Sequence, residues 1–167
     1  MDRTALREIQ APLKQRYTDD PGSAMVTLTG EATLGEGVSC SVRTGQAMAD
    51  AGLHPATGGD GSQLCSGDML LEALAACAGV TLASVATSLE LTVAGKVVCE
   101  GDLDFRGTLA VAKDAPVGFR EIRVRFELDS DATEEQLATL LKLTERYCVV
   151  FQTIANPPAM AMARADA

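Results

Sequence analysis

The chain has 167 residues, 47% hydrophobic, 22% charged and 4% aromatic, with no Trp and a net charge of −9. That is one domain's worth of core, too apolar for a disordered chain, and no apolar run approaches the roughly 18 uncharged residues of a membrane span. The acidic balance repels nucleic-acid backbones and the few aromatics leave little for bases to stack on, so neither nucleic acid nor membrane is expected as a partner.

The N-terminus, Met1 to Glu8, has no apolar signal core, which implies a cytoplasmic protein. Five cysteines is an odd number in such a chain, so reduced thiols are expected rather than a disulfide framework. Leu6, Ile9, Leu13 and Tyr17 recur at helical spacing and predict a short amphipathic helix over 5–17. Asp19-Asp20-Pro21-Gly22 is a turn. Residues 1–20 therefore read as an N-terminal helical extension and 21–167 as a single domain.

Ala24 to Thr33 alternates like a strand, and Gly35-Glu36-Gly37 reads as a hairpin turn into a second strand, Val38 to Arg43. Residues 44–67 form a long Gly-rich loop with room for one short strand, of the kind that is usually functional or pinned by a partner. Ser66 is the expected N-cap of the next helix, with Asp68 in its first turn. That helix, 68–89, is apolar nearly all round and so demands burial on every side, which a second copy of the chain would supply.

Val93 to Ala112, broken by Gly107, predicts two strands, and Phe119 to Leu128 alternates cleanly as a third. Thr133 caps a helix that opens on Glu134-Glu135 and runs to about Tyr147. Cys148 to Ile154 is a short apolar segment stopped by Asn156-Pro157-Pro158. The order is α-β-β-loop-α-β-β-β-α-α, an α+β chain without repeats or linkers.

Cys77 lies in an Ala-rich helix, where a small core filler is the favoured reading and where small neighbours also leave room for a reactant. No Lys or Arg lies within a turn of it, so an activating charge must come from elsewhere in the fold. Cys148 directly follows Arg146 and Tyr147 near a helix break, which suits a reactive thiol as well as a packed one. His54 is the single histidine and no C-x-x-C or H-x-x-x-H spacing occurs, so no metal is expected. Gly58-Gly59-Asp60-Gly61 follows no clear strand, lacks a trailing Lys and reads as a turn rather than a phosphate cradle. Arg120, Arg123 and Arg125 alternate with Ile122, Val124 and Phe126 as the solvated face of a strand. Cys40, Cys65 and Cys99 read as structural or incidental.

Gly58-Gly59, the run Ser66 to Cys77, and Glu145-Arg146-Tyr147-Cys148-Val149-Val150 together resemble the OsmC/Ohr superfamily of osmotically inducible and organic hydroperoxide resistance proteins. The resemblance covers roughly residues 24–160. It implies antiparallel sheets wrapped around two central helices in an intertwined homodimer. It implies a two-cysteine peroxidase that reduces organic hydroperoxides without metal, flavin or other cofactor, regenerated by a dithiol such as a lipoylated protein. Cys77 matches the thiol that attacks the peroxide, and Cys148 the thiol that resolves the resulting sulfenic acid.

Three further positions stand where the family carries supporting groups. Arg43 is nearest to the strand arginine that holds the thiolate. Asp68 replaces an orienting Glu, and nine residues before Cys77 it lies about 180° around the helix. Glu145 stands where the hydroperoxide-resistance branch has a His. The other reading open from sequence is a non-enzymatic dimer that binds an apolar small molecule, or serves as a redox sensor or stress protein.

Overall fold

The computed structural model describes residues 2–20, 32–34, 39–44, 47–110 and 112–164. Helix α1 (Arg3–Asp19) leads into a four-stranded sheet of β1 (Ala32–Leu34), β2 (Ser39–Thr44), β3 (Ala47–Gly52) and β4 (Leu64–Cys65). Helix α2 (Ser66–Leu89) is followed by β5 (Val93–Leu103), the single turn α3 (Phe105–Thr108), β6 (Phe119–Ser130), α4 (Glu134–Tyr147) and α5 (Val149–Ala155). The expected strand over 24–33 lies largely outside the described residues. Its end, β1, pairs antiparallel with β2, and the expected turn Gly35-Glu36-Gly37 between them lies outside the described residues.

The long loop proves to be more structured than its composition suggested. β3 pairs antiparallel with β2 along its whole length, and β4 then pairs parallel with β3. Between them, His54 caps a 3-10 turn at Pro55–Thr57, its Nδ1 accepting from Ala56 N–H at 3.0 Å. The His54 ring stacks on Phe105 at 4.9 Å. Gly58-Gly59-Asp60-Gly61 is a turn, with Gly58 and Gly61 at positive φ and Asp60 accepting from Ser62. Because β4 carries the extended conformation through Cys65, Cys65 rather than Ser66 takes the cap position of α2 and makes no side-chain capping bond.

α2 ends at Glu90 in the left-handed conformation, whose N–H returns to Ala86 and Thr87 carbonyls. Arg3 of α1 reaches this end and pairs with Glu90 at 2.7 Å. By length and composition alone α2 could cross a membrane, which corrects the expectation that no apolar run approaches a span: the stretch from Ala73 to Leu89 carries no charge. It packs instead as a core helix, with Leu74, Ala78, Leu82 and Ala86 forming one buried stripe at i, i+4 spacing. Burial on all sides is not achieved within one chain: Val80 is 73% exposed. This uncovered flank, with Ala76 and Ala83, forms one wall of a groove of ≈ 700 Å³ whose other wall is Thr92–Val97.

β5 and β6 pair antiparallel from Val93↔Ser130 to Leu103↔Phe119. The two strands expected over 93–112 are one strand and a helical turn. The cause is local: Asp104 accepts from Arg106 N–H at 3.2 Å and from Arg106 Nε at 2.9 Å, bending the backbone out of the ladder. Gly107 then passes so close to the Pro116 carbonyl that a Cβ would sit 2.4 Å from its oxygen. On the open face of this pair, Arg123 bonds Asp102 at 2.9 Å and Arg125 bonds Glu100 at 3.2 Å, diagonal partners across the ladder. Arg120 approaches Asp104 at 3.8 Å.

The other face carries the core. Val97, Cys99, Ile122, Val124 and Phe126 close over Leu74, Ala78 and Cys148. Leu91, Val93 and Leu128 close over Leu82, Ala86 and Leu140. α4 starts where Thr133 predicts, with a reciprocal capping box: Gln136 N–H to Thr133 Oγ1 at 3.3 Å, Thr133 N–H to Gln136 Oε1 at 2.8 Å. The apolar segment after it forms α5, entered through Cys148 in an extended conformation.

Candidate active site

The break between α4 and α5 places Cys148 against the middle of α2. Cys148 is 1% exposed and packs with Leu74 and Ala78. Cys77, half-buried on the flank of the same stripe, packs against this cluster. The two thiols, 71 residues apart in sequence, come together in one packed cluster.

Burial works against ionising Cys77, yet its thiol is held below the usual cysteine range. The opposing donors are Val150 N–H, Cys148 S–H, the Thr81 hydroxyl one turn further along α2, and Val149 N–H. Two of these are backbone groups at the start of α5, which have no carbonyl partner within their own helix. No charged side chain among the described residues contributes. Among the described residues the lowering comes from neutral groups alone, and Arg43, the nearest candidate for an activating charge, has its side chain outside them. Cys148 is pushed the other way, first by burial and also by Cys77 beside it. The pair is therefore differentiated, with Cys77 the readier thiolate and Cys148 the proton keeper.

Arg146, the cation nearest Cys148 in sequence, is exposed and lies over the Tyr147 ring at 5.5 Å. Asp68 is exposed in the first turn of α2, roughly 13 Å along the axis from Cys77 at 1.5 Å per residue. Arg43 lies on β2 opposite Met48, and its side chain is outside the described residues. Glu145 is exposed at the rim of a largely apolar cavity of ≈ 360 Å³ behind Cys148, lined by Ala78, Val124, Phe126, Leu141 and Phe151 together with Lys142 and Thr144. Its backbone carbonyl accepts from Gln152 Nε2 at 2.9 Å. Of the residues singled out in sequence, Cys77 and Cys148 come together, Glu145 shares a cavity with Cys148, and Asp68 stands apart.

Comparison with known proteins places the fold. The family described as OsmC-like protein matches residues 59–162, most of the chain and both cysteines. The chain belongs to the OsmC-like protein family. An OsmC-like protein from Mycoplasma pneumoniae superposes with a TM-score of 0.65 at 20% identity, over 79% of this chain and 89% of that one. An organic hydroperoxide resistance protein OsmC from Legionella pneumophila gives 0.57 at 17% identity, over 79% and 91%. The organic hydroperoxide resistance protein OhrB of Bacillus subtilis gives 0.51 at 18% identity, over 79% and 93%. No curated protein matches the chain. At these identities the likeness is one of fold.

Thr81 and the two N–H groups of α5 were not anticipated from sequence. Thr81 is four residues after Cys77, a spacing that puts both on one helix face, and that is the signal that could have found it. Cys99, read as incidental, packs onto the same cluster as Cys148.

Proposed function

We propose that this OsmC-like chain is a two-cysteine, thiol-dependent peroxidase for organic hydroperoxides, working in a reducing compartment such as the cytoplasm. The observation that carries the reading is that Cys77 and Cys148 pack together in one cluster, with the Cys77 thiol held below its usual range by the neutral groups around it. Cys77 thiolate attacks the terminal oxygen of R–OOH. The O–O bond breaks, sulfur takes that oxygen as a sulfenic acid, and RO⁻ leaves and is protonated to the alcohol. Cys148 Sγ then attacks Cys77 Sγ; hydroxide leaves, takes the Cys148 proton, and departs as water, leaving a disulfide. A dithiol, for instance on a lipoylated protein, restores both thiols by exchange. The apolar cavity beside Cys148 suits the alkyl part of such a substrate.

The active form in this reading is an intertwined homodimer, in which a second copy covers the exposed flank of α2 around Val80. Asp68 and Arg43 have no assigned step, and Glu145 is a rim residue of the substrate cavity. The same cavity favours the second reading, a non-enzymatic dimer that holds an apolar small molecule. One equivalent of an alkyl hydroperoxide separates them. The peroxidase loses two free thiols per chain and forms one equivalent of alcohol, whereas a binding protein keeps all its thiols.

A further inference from the structure

Cys99 is placed by its neighbours on α2. A Cβ at Gly79 would meet Val97 Cγ2 at 3.8 Å, and a Cβ at Gly101 would meet Leu71 Cδ2 at 3.3 Å. β5 therefore runs antiparallel to α2 here, and Cys99, midway between Val97 and Gly101, is level with the middle of the segment 71–79. At about 100° per residue, Cys77 lies on one flank of the Leu74–Ala78 stripe and the β5-facing residues Leu71, Ala75 and Gly79 lie on the other. Cys148 sits over the stripe itself, with Cys77 and Cys99 both packed on its cluster. Cys77 and Cys99 therefore flank, from opposite sides of the stripe, the cluster that holds buried Cys148. Among the described residues, no group of His, Cys, Asp or Glu is arranged to hold a metal ion.

We propose that Cys99 is the third thiol of a relay: once Cys77 and Cys148 are disulfide-linked, Cys99 displaces Cys77 from Cys148, leaving a Cys99–Cys148 disulfide and a free Cys77. The inference rests on the peroxidase reading only for the origin of the first disulfide. Cys99 loses its proton and its thiolate attacks Cys148 Sγ. The Cys148–Cys77 bond breaks and Cys77 leaves as a thiolate that takes up a proton. One S–S bond forms and one breaks, so no electrons are gained or lost and no further oxidant is needed.

The direction follows from the surroundings. The leaving thiolate is the one received by Val150 N–H, the Thr81 hydroxyl and Val149 N–H. Cys99 and Cys148 are both pushed up, first by burial and then by neighbouring thiols. A disulfide is most stable between the two thiols that are poorest as thiolates, so exchange runs toward Cys99–Cys148. The same burial makes Cys99 a rare thiolate, so exchange follows the first disulfide rather than competing with it. The cavity bounded by Val124, the ladder partner of Cys99, and by Ala78 and Phe126 gives Cys148 space to turn. The consequence is that the oxidising equivalent is parked behind the helix and Cys77 meets a second hydroperoxide.

The test uses the whole chain, reduced, then treated either with one equivalent of cumene hydroperoxide or with diamide, which forms disulfides whether or not the protein is a peroxidase. Samples are acid-quenched over time, alkylated and mapped by peptide mass spectrometry. The expected result is a Cys77–Cys148 peptide that decays as Cys99–Cys148 rises, at a rate independent of protein concentration. Without reductant, wild type then consumes two equivalents of hydroperoxide per chain and Cys99→Ala one, a two-fold drop. A Cys77–Cys148 disulfide that persists while Cys99 stays alkylatable overturns the relay. So does diamide linking neither pair. Exchange after diamide with no reaction toward hydroperoxide upholds the relay and overturns the peroxidase reading instead. The wild-type map decides even if Cys99→Ala folds poorly.

Discussion

Thr81→Val removes one hydroxyl donor from Cys77 while keeping side-chain volume and the β-branched shape on α2. A hydrogen bond to a charged acceptor contributes about 1.5–3 kcal/mol. Thr81 stands behind Val150 N–H and Cys148 S–H among the donors to Cys77, so the lower end applies. About 1.4 kcal/mol is a factor of ten in an equilibrium, so the Cys77 thiolate population near neutral pH should fall about ten-fold. The thiolate that remains is less stabilised and more nucleophilic, with a Brønsted coefficient of about 0.4–0.5, which returns roughly three-fold. The net loss in reaction rate near neutral pH is then about three- to four-fold, and it inverts at alkaline pH, where both proteins are fully ionised and the more basic thiolate of the variant reacts roughly three-fold faster. The assay is pulsed iodoacetamide alkylation across pH, with the Cys77 peptide quantified by mass spectrometry. The midpoint for Thr81→Val should move to higher pH. A superimposable profile, or a move to lower pH, would refute the idea that neutral donors hold this thiolate.

The core and backbone carry further predictions. Leu140, 0% exposed between α4 and the Leu82–Ala86 end of α2, should lose about 2–5 kcal/mol as Leu140→Ala, lowering the melting temperature by at least about 5 °C; a change under about 1 °C contradicts the packing described. Gly95 has φ 129 and a Cβ there would lie 2.0 Å from the Glu127 carbonyl oxygen, so Gly95→Ala should destabilise by about 2 kcal/mol or more in urea titration. Gly118→Ala, where a Cβ meets nothing within 4 Å, is the near-neutral control. The Arg106 guanidinium, with help from its N–H and from Arg120, holds Asp104 down to about 2. A depressed carboxylate contributes stability that is present above its unfolded range, near 4, and is lost as pH falls through its folded value. The difference in urea midpoint between wild type and Asp104→Asn should therefore shrink as pH drops from about 4 to about 2. A difference that grows would have the sign wrong.

Much of the secondary structure was readable because its signals are local. Thr133 with Glu134-Glu135 marks a helix start, and the alternation from Phe119 marks a strand that needs no partner to be recognised. What was not readable depended on contacts across the chain. β3 has little strand character in Ala47–Gly52 and exists because β2 offers it a full edge. The strand expected at 108–111 gives way to a turn because Asp104 captures Arg106, a competition that hydrophobic periodicity does not register. For the site, the motifs around Cys77 and Cys148 announced the pair. They could not announce the chemistry of activation, since two of the donors are backbone N–H groups whose direction is set by where α4 ends and α5 begins. The apolar girth of α2 was visible in sequence, but burial of only one stripe became clear from the packing of β5 and α4 against it.

The assignment of Cys77 as attacker and Cys148 as resolver is tested most directly in the two single variants after one equivalent of alkyl hydroperoxide. In Cys148→Ser, intact mass and peptide mapping should find one added oxygen on Cys77, progressing to two or three with excess oxidant, and turnover with a dithiol should stall. In Cys77→Ser, hydroperoxide consumption should cease and Cys148 should remain a thiol. Oxygen on Cys148 in Cys77→Ser, with turnover retained, would reverse the roles; unmodified thiols in both variants would remove the peroxidase altogether.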